Sequence, residues 1–229
     1  MTKTHNTTAV RVWDLPTRLF HALFGLCVAG LIATGEVAGS DAMQVHFWLG
    51  YSALTLLLFR LVWGFLGGHW SRFINFIPTP ASLKSYLSPA RDEPRAPAVG
   101  HNPLGALSVV AMLSLVLVQI VSGLMSDDEI SVSGPWTTWV PSSWVELATQ
   151  YHTEIGKLML FALLALHIGS VLFYKYFQAN DLITPMVTGD KKLTPSTTAS
   201  RDTGTSRLFA LSVLAGCAYV VYRLVQLPA

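Results

Sequence analysis

Charge is what this sequence has least of. Only 12% of its 229 residues are Asp, Glu, Lys or Arg, while 52% are apolar. Soluble domains carry about 25% charged residues, so a water-facing globular surface is excluded. Cysteine is also scarce: Cys27 and Cys217 both fall in apolar stretches, which argues against a structural disulfide. The absence of a C-x-x-C-H motif excludes covalent heme attachment, and the lack of a cysteine–histidine cluster leaves no zinc-type site. No nucleotide-binding glycine loop, nucleophile–base arrangement, chain of intramembrane carboxylates or internal repeat is present. The formal net charge of +2 is too small to argue for a nucleic-acid partner. The N-terminus stays polar through Arg11, without the apolar core of a cleaved leader.

What remains is long apolar runs. Residues 19–35, 42–68 (interrupted by Arg60), 96–126 (densest over 104–125), 158–174 and 208–222 are each expected to cross a bilayer, which takes about 20 residues of helix. The shortest, 208–222, reaches that length if Arg223 snorkels. The expected fold is all-α: an integral-membrane four-helix bundle over residues 1–189, a polar linker over 190–206 and an additional transmembrane helix over 207–229. That last helix is expected to be an appendage and the Thr/Ser-rich linker to be flexible.

Apart from Arg60, Lys157 and Arg223, every lysine and arginine falls in three segments on one side: the N-terminus, the loop after the second span and the segment after the fourth. The opposite loops carry Glu36, Asp41, Asp127, Asp128, Glu129, Glu146 and Glu154. The positive-inside tendency places the N-terminus in the cytoplasm. Residues 73–87 read as an amphipathic interfacial stretch. Trp136, Trp139 and Trp144 read first as an interfacial belt, with a docking surface as the alternative.

Histidines carry the chemistry, because one inside a span is costly and is a functional candidate by default. His152 and His167 are fifteen residues apart, roughly 22 Å of rise and about 60° past whole turns. They therefore lie broadly on one helix face, one near each membrane surface. His46 matches His152 in depth and His21 matches His167. Two imidazoles at each of two depths is the requirement for two bis-histidine hemes between helices. Gly25, Gly50 and Gly156 each follow a histidine by four residues, leaving room beside the ligand for a ring. His101 has Gly105 at the same offset and competes with His21 or His167. Purely structural histidines, another metal or a proton path stay open from the pattern alone.

Arg60, about 21 Å below His46 and within about 40° of its face, is a candidate partner for an inner heme propionate or a snorkelling cation. Lys157 is placed to reach an outer propionate or the interface.

Several ordered pieces carry a family resemblance: Val12-Trp13-Asp14-Leu15-Pro16-Thr17-Arg18-Leu19-Phe20-His21, His46-Phe47-Trp48-Leu49-Gly50-Tyr51, Phe59-Arg60-Leu61-Val62-Trp63-Gly64-Phe65, Gly100-His101-Asn102-Pro103-Leu104-Gly105, Leu166-His167 and Phe173-Tyr174. Together, over about residues 10–192, they resemble the bacterial cytochrome b561 and nickel-hydrogenase cytochrome b subunit family. The resemblance implies a four-helix core with two non-covalent b hemes, His21 pairing with His167 and His46 with His152. In the family the motif around His101 does not usually supply a ligand, which lowers the standing of His101.

Iron with both axial positions filled favours electron transfer over bond-making chemistry. The expected role is a multi-pass carrier in the bacterial inner membrane, embedded in lipid. It would link the quinone pool to a periplasmic c-type cytochrome or a dehydrogenase or hydrogenase subunit. A quinone-linked oxidoreductase acting on superoxide or another small molecule, and a heme-free anchor or scaffold, are the rival readings. A monomer and a homodimer are both compatible with the sequence.

Overall fold

The computed structural model describes residues 7–37, 39–88, 98–129 and 132–226. Lys3, His5, Arg91 and Arg95 lie outside the described residues.

The elements run β1 (Thr8–Arg11), α1 (Leu15–Gly35), α2 (Ser40–Leu66), α3 (Pro80–Leu87), α4 (Pro103–Leu124), α5 (Ser142–Gln150), α6 (Gly156–Phe177), α7 (Ile183–Thr188), β2 (Asp190–Leu193) and α8 (Gly204–Val225). A π-helical turn, Tyr151–Ile155, joins α5 to α6, so that Ser142–Phe177 is one 36-residue helical rod. The fourth span therefore begins well before the expected residue 158. Helices α1 and α2, of 21 and 27 residues, reach roughly 32 and 40 Å at about 1.5 Å per residue. A bilayer core is about 30 Å thick. Among the described residues five helices are long and apolar enough to cross it. The chain is a multi-pass membrane protein of the all-α bundle class.

The helices begin where the sequence offers caps. Asp14 Oδ1 accepts from Thr17 N at α1, Thr79 Oγ1 from Ser82 N at α3, and Asn102 Oδ1 from Gly105 N at α4. Pro16, Pro80 and Pro103 sit within the first turns, where a missing N–H costs nothing. Thr203 and Ser206 cap α8 reciprocally. Of the expected amphipathic stretch 73–87, only Pro80–Leu87 is α-helical.

The chain divides into two compact units. The first comprises Met1–Leu19, Val62–Val110 and Leu166–Ala210. Here β1 pairs antiparallel with β2 from Thr8 opposite Leu193 to Arg11 opposite Asp190. Gly189, at φ +91°, makes the turn into β2 and its carbonyl accepts from Val12 N and Trp13 N. Asp14 is fully buried; its carboxylate also accepts from Trp63 Nε1 (3.2 Å), Gly68 N (2.8 Å) and Ser71 Oγ (2.9 Å). Ser200 Oγ donates to Val12 O, and Trp70 Nε1 to Thr198 O. Residues 190–206 are thus tied down by a strand and by hydrogen bonds, where a flexible linker was expected. Composition signals solvated loops, but tertiary partners absorbed these polar groups.

The second unit comprises Phe20–Leu61, Ala111–Ala165 and Leu211–Ala229. Its core joins Ala53, Leu54 and Leu57 of α2, Val116, Ile120 and Leu124 of α4, and Val221 of α8. Trp136 packs against this core, and its Nε1 donates to Leu224 O at the end of α8. The fifth helix is therefore part of the packed core of this unit and not an appendage. Leu26, Phe65 and Leu158 remain about 70% exposed, as lipid-facing side chains do.

Candidate functional site

In the second unit α1, α2, α4, α6 and the π-helical turn wall a cavity of about 270 Å³. Val28, Leu31, Val116, Ile120, Leu124 and Leu160 line its apolar part, and Glu36, Asp127, Asp128 and Lys157 its polar part.

His46 of α2 and His152 of the π-helical turn both line this cavity. Their ring centres are 6.1 Å apart and the ring planes nearly perpendicular, at 84°. Two imidazoles on one metal ion, each about 2.0 Å from it, have ring centres about 6 Å apart. Each ring is also oriented through its other nitrogen. Thr34 Oγ1 spends its single proton on Gly30 O (2.7 Å), so toward His46 Nδ1 (3.0 Å) it can only accept. Gln119 O, a carbonyl, accepts from His152 Nδ1 at 2.8 Å. Both rings therefore carry their proton on Nδ1 and leave the Nε2 lone pair available, the arrangement by which outer partners prepare histidine ligands. The donor set fits a bis-histidine heme.

Small residues make this approach possible. A Cβ on Gly123 would lie 2.7 Å from His152 Cε1, and one on Gly35 would lie 3.5 Å from His46 Cε1. Gly50, one turn after His46, has nothing within 4 Å of its Cβ position and lines the cavity. Gly156 is different: its missing side chain is replaced by the Gln119 amide and Tyr151, not by open space. The π-helical turn adds a residue per turn, so an offset of four from His152 no longer stacks on one face.

Lys157 Nζ pairs with Glu36 Oε1 at 3.0 Å beside the cavity. Arg60, 3% exposed, is buried in α2, which removes the snorkelling alternative. His21 is exposed on α1 within the second unit, and His167 is half-buried on α6 within the first. His101 lies between Trp13 (ring centres 4.9 Å apart) and Phe76 (4.7 Å) in the first unit, the setting of a packed aromatic. Thr34, Gln119, Ser122 and Gly123 escaped the sequence reading, since nothing in their local spacing marks them. Among the described residues no three His, Cys, Asp or Glu side chains gather as a metal cluster.

The family model of the prokaryotic cytochrome b561 matches residues 12–189. A probable Ni/Fe-hydrogenase B-type cytochrome subunit of Bradyrhizobium diazoefficiens is 25% identical over 215 residues, covering 80% of this chain and 86% of the relative. The probable Ni/Fe-hydrogenase 1 B-type cytochrome subunit of Escherichia coli is 27% identical over 146 residues, 53% of this chain and 61% of the relative. One from Azotobacter vinelandii is 29% identical over 130 residues, covering 47% and 54%. These last two matches span less than two thirds of either protein. No solved structure gives a significant match.

Proposed function

Since the chain belongs to the prokaryotic cytochrome b561 family, a group of membrane electron-transfer proteins with heme b, we propose that it holds two bis-histidine hemes and connects a periplasmic redox protein with the quinone pool. The observation that carries this reading is the pair His46 and His152, facing one cavity with both Nδ1–H groups already spent on oxygen acceptors. Heme b held by these two residues would supply reversible one-electron chemistry. Thr34 and the Gln119 carbonyl orient the two rings, and the apolar wall keeps water from the ligands. The Lys157–Glu36 pair supplies a cation and an anion beside the cavity.

The second pair is proposed as His21 with His167, with Arg60 serving that site, on the strength of depth and family resemblance. The lysine and arginine bias supports an N-terminus in the cytoplasm of a bacterial inner membrane, which sets the His46–His152 site toward the periplasm. Relatives named as hydrogenase cytochrome subunits support a hydrogenase or related dehydrogenase subunit as the periplasmic partner. A periplasmic c-type cytochrome is the alternative partner.

The test is heme per polypeptide in detergent-purified protein, by alkaline pyridine spectrum, with carbon monoxide added to the reduced form. About two non-covalent protohemes and no carbon monoxide adduct are expected. His46→Ala or His152→Ala should lose one heme and keep the other. Either variant retaining two hemes with an unchanged spectrum would overturn the assignment.

A further inference from the structure

In a regular α-helix the carbonyl of His152 would accept from the N–H of Gly156. Here Gly156 N donates instead to Tyr151 O, five residues back, as the π-helical turn requires. Gly156 N is therefore spent elsewhere, and a side chain from another helix bonds to the His152 carbonyl. Gln119 Nε2 of α4 donates to His152 O at 2.8 Å. The same residue's backbone carbonyl accepts from His152 Nδ1, also at 2.8 Å. Two hydrogen bonds of opposite sense thus join one residue of α4 to both the backbone and the ring of one proposed heme ligand.

The fit extends to the glycines on either side. The Gln119 amide oxygen is buried, has no hydrogen-bond partner and occupies the space where a Gly156 Cβ would stand. Gly123, one turn beyond Gln119, lets the His152 ring lie against the α4 backbone. The amide therefore sits as a wedge in the widened turn, and any side chain at 156 would push it out. π-Helical turns are uncommon and cluster at functional sites. This one is held open by a residue that the histidine-based reading of the site did not include.

We propose that Gln119 is a positioning residue for the His46–His152 heme: its side-chain amide stabilises the π-helical turn and, through it, sets the orientation of His152. The inference rests on the assignment of that heme site to His46 and His152. It makes no claim on the other heme.

The experiment compares Gln119→Met, Gln119→Glu, Gly156→Ala and the double variant Gln119→Met/Gly156→Ala with the full-length wild type. His46→Ala and His152→Ala run alongside. Readouts are heme per polypeptide, low-temperature electron paramagnetic resonance of the oxidised protein and the midpoint potential of each heme. Gln119→Met keeps the length and removes the amide, and Gln119→Glu keeps the shape and exchanges the donating amide for an acid. The expected result is a displaced low-spin signal and a shifted midpoint for one heme in Gln119→Met and Gly156→Ala, with the other heme as in wild type. That heme should be the one lost in His152→Ala. The double variant should shift no further than Gln119→Met, because the hydrogen bond to His152 O that Gly156→Ala would break is already absent. If Gly156→Ala fails to accumulate in the membrane, the two Gln119 variants carry the test.

Wild-type signal and midpoints in the Gln119 variants, with one heme lost in His152→Ala, would overturn the role of Gln119 and leave the site assignment intact. Two hemes retained in both alanine variants would overturn the site, and this inference with it. Lower heme content with an unchanged signal from the heme that remains would make Gln119 a packing residue and also overturn the proposal.

Discussion

Replacing Thr34 by valine removes one hydroxyl and almost no volume, and the consequence can be worked from the geometry. Thr34 Oγ1 donates to Gly30 O and accepts from His46 Nδ1 at 3.0 Å. Valine would set a methyl group against that Nδ1–H in a half-buried position and leave it only the backbone carbonyl of Leu31. A buried donor left wholly unsatisfied costs about 1–3 kcal/mol, which sets the upper limit here. The ring can escape by moving its proton to Nε2, which removes the lone pair a metal needs, or by rotating away. Loss of such an outer partner typically weakens metal binding about 10- to 100-fold, equivalent to about 1.4–2.8 kcal/mol. The two independent estimates overlap. The assay is the rate of heme transfer from reduced-free, detergent-purified protein to an excess of a soluble heme scavenger. One of the two hemes should leave about 10- to 100-fold faster in Thr34→Val. Thr34→Ser keeps the hydroxyl and should stay within about threefold of wild type. Heme loss from Thr34→Val at the wild-type rate, with His46→Ala already lacking that heme, would refute the reasoning about the tautomer.

Asp14→Ala should be severely destabilising. It removes an N-cap, worth about 1 kcal/mol, and strips the acceptor from Trp63 Nε1, Gly68 N and Ser71 Oγ, each costing about 1–3 kcal/mol if left unpaired. The sum approaches the whole stability of many proteins, so the variant should scarcely accumulate in membranes, as read by immunoblot. Deleting residues 204–229 removes Val221 from the core of the second unit and the carbonyl that Trp136 caps. Thermal unfolding in detergent should shift down by several degrees and the His46–His152 heme be lost first. Burial opposes ionisation of Asp202, but the Arg207 hydrogen bond and the charges of Arg207 and Arg11 outweigh it, and its acidity is raised. A carboxyl with a depressed folded-state pKa contributes stability above its unfolded value near 3.9. That contribution is lost as the pH falls through the lower, folded value. Asp202→Asn should therefore flatten the loss of thermal stability on acidification below about pH 4, and an unchanged profile would show that Asp202 contributes nothing.

Much of the architecture was legible in the sequence because a bilayer leaves the backbone few choices. With no water to satisfy N–H and C=O groups, apolar runs near twenty residues become helices, and all five expected spans are helices in the structure. The histidines stood out because polar groups in that solvent need a purpose. What failed was inference from composition about segments that find distant partners: residues 190–193 pair with β1, and α8 joins the core of the second unit.

The sequence by itself determined the solvent and the helices and singled out the intramembrane histidines as candidates, since each follows from local composition and the cost of burying polarity. The tertiary structure alone decided how His46 and His152 present themselves. Their tautomers depend on Thr34 and Gln119, 12 and 33 residues away along the chain. The π-helical turn that aims His152 exists because α4 supplies an amide where the helix gives up its own hydrogen bond. Hydrogen bonds between helices are set by packing and approach distance, and no spacing within a single helix encodes them.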